Sequence, residues 1–163
     1  IATLLPASAR GGHLRAVLLA LERLQVGART NVAKPLRDLA AAVRKRGLVV
    51  LVSDLLDDPR QVLDGLKHFR YRGTDVVVFH VIDPYELEFP FAQSARFRDI
   101  ETAQEVAAVP SVVRQDYVAR MAERIAHYKR ELGLAGIDYC LLDTSRPLEF
   151  GLMAYLMTRR RVL

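Results

Sequence analysis

The chain has 163 residues, of which 51% are apolar and 26% charged, and it carries a formal net charge of +5. That length supports one sizeable core and leaves little room for a second, so a single domain over 1–163 is expected, and the apolar content excludes a disordered chain. The positive balance is scattered over predicted helices, apart from the short groups at 44–46 and 159–161 near helix C-termini, where cations suit the helix dipole; nucleic acid is therefore not an expected partner.

In chain order, residues 13–24 place Leu14, Val17, Leu18, Leu21 and Leu24 at helical spacing and predict an amphipathic helix. A loop at 27–29 leads to a second helix over 32–46, with Asn31 as N-cap, Pro35 in its first turn and Leu36, Leu39, Ala40 and Val43 inward. Residues 48–52 form a continuous apolar run bounded by Gly47 and Ser53-Asp54, the pattern of a parallel strand covered on both faces. A helix over 60–69, with Val62, Leu63, Leu66 and Phe69 inward, leads to a β-branched strand over 76–82, giving a βαβ unit.

From 84 to 110 the pattern shortens to alternating pieces, 86–91, 95–100 and 105–109, which predict a β insertion on a sheet edge. A long helix over 112–132 carries Val113, Tyr117, Met121, Ile125 and Tyr128 on one face, ends at Gly133 and feeds a third strand over 137–142. A last helix over 147–158 is expected to pack Phe150, Met153, Ala154 and Met157. No apolar run approaches the roughly 20 residues that span a bilayer, and 1–10 lacks the layout of a secretory signal, so membrane insertion is not expected. The single cysteine, Cys140, lies in an apolar run and reads as a small buried hydrophobe in a reducing, cytoplasmic setting.

Each predicted parallel strand is followed by a carboxylate: Asp54, Asp83 and Asp143. Ligands bind at the carboxyl edge of open parallel sheets, where such aspartates can hold a hard cation or act as acid and base. Aspartate at a strand end also caps the next helix or turn without further purpose. The run Asp54, Asp57, Asp58 resembles an acidic phospho-acceptor pocket, but the later strands offer no matching Lys and Thr. There is no Gly-rich phosphate loop, no metal-spaced cysteine pair and no Gly-x-Ser-x-Gly turn. The four histidines are dispersed, and His80, inside an apolar strand, reads as a hydrogen-bonded core residue.

Three ordered blocks, LVVLVSD at 48–54, DPRQVLDGLKHFRYRGTDVVVFHVIDPYELEFPF at 58–91 and GIDYCLLDTSRPLEFGLMAYLMTRR at 136–160, resemble the MoxR-associated, von Willebrand factor A-like family of unassigned function. The resemblance implies a Rossmann-like parallel sheet flanked by helices, here with a β-hairpin insertion and incomplete at its N-terminus. It also implies a metal-ion-dependent adhesion site, in which Thr30 resembles the family's threonine and Asp54 the aspartate after the fourth strand. The Asp-x-Ser-x-Ser loop of such sites is missing; Asp143-Thr144-Ser145 is the nearest string and stands in the wrong place. Mg²⁺ is the implied cofactor, and without that loop the chain is not expected to retain it. The resemblance further implies that the strand beginning at Leu48 and ending at Val52 has lost a neighbour, which predicts self-association through that edge.

The leading expectation is a non-enzymatic protein-interaction module working with a MoxR-type AAA ATPase in assembly or maturation of complexes. The alternatives are a metal-dependent hydrolase using Asp54, Asp83 and Asp143, and a metal-free scaffold in which those aspartates are only caps.

Overall fold

A computed structural model describes residues 5–6, 8–23, 32–42, 47–99 and 104–160. Three parallel strands, β1 (Leu48–Ser53), β2 (Asp75–Ile82) and β5 (Asp138–Asp143), form one sheet in the order β1-β2-β5. Val49 aligns with Val76 and Ser53 with His80 across the first pair, and Val77 with Asp138 and Ile82 with Asp143 across the second. The helices are α1 (His13–Glu22), α2 (Ala33–Ala42), α3 (Pro59–Tyr71), α4 (Pro84–Glu88), α5 (Pro110–Leu134) and α6 (Leu148–Arg160). None of the helices among the described residues is long and apolar enough to cross a membrane. The protein is thus a mixed α/β structure with a three-stranded parallel sheet flanked by helices.

Strand alternation divides the covering layers. On one face, Val76 and Val78 of β2 meet Leu36 and Ala40 of α2, Val62, Leu63, Leu66 and Phe69 of α3, and Tyr128 and Leu132 of α5. Burying a side chain such as Leu66, 0% exposed, contributes about 2 kcal/mol. The opposite face carries Phe79, which meets Tyr155 of α6 edge-on at 5.4 Å, and Cys140, whose Sγ lies 3.7 Å from the Gly151 carbonyl. Gly151 permits this approach: a Cβ there would stand 2.2 Å from Leu142 Cδ2. On this second face Leu48, Val50 and Val52 of β1 are at least half exposed.

The βαβ unit of 48–82 forms, with all four inward residues of α3 buried, but β1 is not covered on both faces as its apolar run predicts, since Leu48, Val50 and Val52 are exposed. Four further expectations are corrected. Residues 86–91 do not form a strand: Asp83 accepts the Tyr85 amide at 2.8 Å and starts the short helix α4. The hairpin of β3 (Ala95–Arg98) and β4 (Glu105–Ala108) forms its own two-stranded antiparallel sheet rather than extending the parallel one. Its aromatic side has a separate core, since Phe89 lies 5.3 Å from Phe97 and 4.6 Å from Tyr117 of α5.

The long helix runs through Gly133 and closes at Gly136, whose φ of 67° allows the Ile137 amide to reach the Leu132 carbonyl at 2.9 Å. In α6 the packing residues are Gly151 and Tyr155, while Phe150, Met153 and Met157 are exposed; the helix is apolar on nearly every side, so periodicity does not select a face. The first helix forms, but no residue of α1 is buried. Leu24, the loop at 27–29, Asn31 and Val43 lie outside the described residues.

Candidate functional site at the carboxyl edge of the sheet

The strand ends place Asp54, Asp83 and Asp143 along one edge, as the sequence predicts for parallel strands. Each carboxylate organises its own turn. Asp54 Oδ1 accepts the Leu56 amide at 3.3 Å and Asp143 Oδ1 accepts the Ser145 amide and hydroxyl at 2.9 and 2.7 Å. Asp83 caps α4 through Oδ1, while its Oδ2 accepts the Thr144 hydroxyl at 3.3 Å, which joins the ends of β2 and β5. The Ser145 hydrogen bonds hold the Asp143 carboxyl below the ordinary carboxylate range. Glu86, on α4, is shifted the other way, chiefly by burial, with the charges of Asp54 and Asp83 adding to the rise against a lowering backbone hydrogen bond at Asp83.

The loop between β1 and α3 is the most constrained part of this edge. Leu55 sits in the left-handed region at φ 53° with its side chain fully buried. Its amide donates to Ser53 Oγ at 3.1 Å, and its carbonyl accepts from the guanidinium of Arg124 and from the Tyr128 hydroxyl at 3.4 Å. Arg124 Nη2 also reaches the Asp57 carbonyl at 2.6 Å. From β2, His80 Nε2 donates to the Asp54 carbonyl at 2.8 Å. A carbonyl can only accept, so that nitrogen carries the proton, and Nδ1 accepts from the Tyr139 hydroxyl at 2.7 Å. Burial lowers the His80 pKa and raises that of Tyr128 to about 12, keeping both groups neutral.

The carboxylates beyond Asp54 tie the loop to two helices. Asp58 Oδ1 caps α3 through the Arg60 and Gln61 amides at 2.8 and 3.4 Å. Asp57 Oδ2 accepts the amide of Val32, immediately before α2, at 2.5 Å. Thr30 lies outside the described residues, two positions before that anchored amide.

Among the described residues no group of three or more His, Cys, Asp or Glu side chains is placed to hold a metal ion. The donors at the loop are oxygens, the Asp54 carboxylate and the Ser53 hydroxyl, which suit Mg²⁺ in kind but not in number. His80 is committed through both ring nitrogens and does not add a ligand.

A cleft of about 650 Å³ opens at the opposite, amino-terminal end of β2 and β5. Its charges satisfy one another: Asp75 is bridged by Arg70 at 3.1 Å and Arg159 at 3.2 Å, and Tyr155 links Arg159 to Asp138. Cys140 on its wall is half-buried, and burial raises its thiol pKa, which disfavours the thiolate.

Comparison with known proteins decides the family. Residues 1–127 match the family described as "Protein of unknown function DUF58". The chain belongs to the DUF58 family. The matched part of this DUF58 chain contains Asp54, Asp83 and Arg124. A protein of Mycobacterium avium described as uncharacterized is 27% identical over 140 residues, covering 85% of this chain and 82% of that protein. No solved structure matches the DUF58 chain.

Sequence reasoning missed Arg124, Tyr128 and Tyr139 as parts of this edge. Tyr139 carries a readable signal, since alternation puts it on the same face as Ile137, a core residue just before β5. Nothing in the sequence around Arg124 marks it, because its carbonyl partners come from the loop after β1.

Proposed function

We propose that this DUF58 chain is a protein-interaction module whose docking face is the carboxyl edge of the sheet. In this reading its fold is von Willebrand factor A-like, and Thr30 and Asp54 are the remnants of a metal-ion-dependent adhesion site. The partner is a MoxR-type AAA ATPase acting in assembly or maturation of complexes. The observation that supports the reading is the tie between Asp57 and the Val32 amide, which fastens the Asp54 loop to the start of α2, two residues beyond Thr30. A Mg²⁺ held by Thr30 and Asp54 would leave a coordination position for a partner's carboxylate. The module does its work by binding, without catalysis.

The test is binding of the MoxR-type ATPase with and without Mg²⁺, together with calorimetric titration of Mg²⁺ alone. Thr30→Ala and Asp54→Ala are expected to abolish docking, while Asp83→Asn preserves it. Docking unchanged by Thr30→Ala and Asp54→Ala overturns the reading. A metal-free scaffold is the second reading, favoured by the local turn and cap bonds that occupy Asp54, Asp83 and Asp143; it tolerates all three substitutions.

A further inference from the structure

We propose that Arg124, with Tyr128 and His80, is a positioning device that locks the Asp54 loop into one docking-ready conformation. The proposal deepens the reading of that edge as a docking face and rests on it for its binding consequence. The loop needs such a device. A non-glycine residue in the left-handed region carries a steric penalty, and such a conformation persists only where its surroundings over-determine it. Leu55 is in that region, and its side chain is wholly buried, so the loop is fixed from the side-chain end by packing.

From the backbone end it is fixed by carbonyls. The turn aims the carbonyls of Leu55 and Asp57 at α5, where Arg124 meets both with one planar fork of donors. Tyr128, one helical turn further along α5, adds its hydroxyl to the Leu55 carbonyl, and its ring centroid lies 5.8 Å from the Arg124 guanidinium carbon. His80 holds the preceding carbonyl, that of Asp54, from β2, and Tyr139 of β5 fixes the tautomer that can do so. Two elements, β2 and α5, thus grip the backbone at Asp54 and just beyond it, while the Asp54 side chain itself stays exposed.

Arg124 stands beside an acidic loop, yet its guanidinium donates to carbonyls there, not to Asp54, Asp57 or Asp58 carboxylates. A cation recruited only for its charge would pair with a carboxylate. Donation to two carbonyls leaves the exposed Asp54 side chain unpaired with Arg124 and fixes the chain that bears it. Docking onto a preset loop avoids the ordering cost that a flexible loop would impose on association.

The test compares the wild-type chain with Arg124→Gln, Tyr128→Phe and the neighbouring surface change Glu123→Gln. Amide hydrogen exchange is read at Leu55 and Leu56, whose amides bond to Ser53 and Asp54. Loss of a charge-assisted hydrogen bond predicts exchange faster by roughly tenfold to a hundredfold at these amides in Arg124→Gln. A smaller rise is expected in Tyr128→Phe and none in Glu123→Gln, with the amides of β2 unchanged in every variant. Unchanged loop exchange in folded Arg124→Gln and Tyr128→Phe overturns the proposal, as does a rise spread evenly over the whole protein. Binding of the ATPase is measured on the same samples. A slower association rate in Arg124→Gln supports both the device and the docking face. Faster loop exchange with docking indifferent to both Arg124→Gln and Asp54→Ala supports the device and overturns the docking face.

Discussion

Replacing Gly65 by alanine sets two opposing effects against each other at a known distance. Gly65 is buried in the middle of α3, where alanine favours the helix by about 1 kcal/mol. A Cβ there, however, would stand 3.0 Å from Leu36 Cβ and 3.6 Å from Leu36 Cδ1. Comfortable carbon contacts begin near 3.5 Å, so α2 must retreat by roughly half an ångström. A Cβ cannot swing aside as a side-chain tip can. Retreat loosens Leu36 and Ala40 and strains the Arg72 bond to the Ala40 carbonyl, 2.6 Å long. Overpacking of this kind costs about 1 to 3 kcal/mol, so the net is a destabilisation of about 1 kcal/mol.

Gly133 supplies the control, being helical in α5 with nothing within 4 Å of its prospective Cβ. The same substitution there is expected to stabilise by about 0.5 kcal/mol. In urea unfolding, with a slope of roughly 2 kcal/mol/M, the midpoint falls by about 0.5 M for Gly65→Ala and rises by about half as much for Gly133→Ala. A rise of equal size in both variants refutes the reasoning, because it means that α2 does not press on α3 as the geometry requires.

The remaining predictions concern His80 and the β1 edge. Because burial lowers the folded-state pKa of His80, its contribution is fully present above the unfolded value of about 6.5 and is lost as pH falls, since only the unfolded chain then takes up the proton. Unfolding free energy should therefore fall as pH drops below roughly 6.5, and the slope should flatten in His80→Gln, whose amide can replace both hydrogen bonds; an unchanged slope removes His80 as its source. Self-association through β1 predicts concentration-dependent sedimentation for the wild-type chain and a shift toward monomer for Val50→Lys, because Val50 is 50% exposed on a strand with no charge or proline to protect it. A wild-type chain that sediments as a monomer at every concentration rules this out.

Legibility in the sequence followed the range of the interactions. The β1–α3–β2 unit could be read because its pattern is local: five apolar residues before Ser53, four inward positions in α3, and β-branched residues in β2. The placing of Asp54, Asp83 and Asp143 on one edge followed from parallel strands alone. The helix at Pro84–Glu88 was obscured by its length, too short to show a helical period, although Asp83 followed by proline is an N-terminal signal. The inward face of α6 was obscured by excess, since Leu148, Phe150, Met153, Leu156 and Met157 surround Tyr155 with apolar residues that stay exposed. The Arg124 grip was not legible at all. It depends on where the helix of α5 crosses the loop after β1, a tertiary fact with no sequence period.

The strand order β1-β2-β5 also bears on the order in which the molecule assembles. β1 and β2 are separated only by α3, so their pairing closes a short loop and brings the α3 face down with it. β5 pairs with β2 only after the chain has passed through α4, the hairpin and the whole of α5, a far longer closure. Local contacts form before distant ones, so the half containing Asp54 and its neighbours should acquire structure while β5 and α6 are still unattached. Until then the edge of β2 that later receives β5 is open, which makes the interval before β5 arrives the one in which nascent chains are most exposed to pairing with each other.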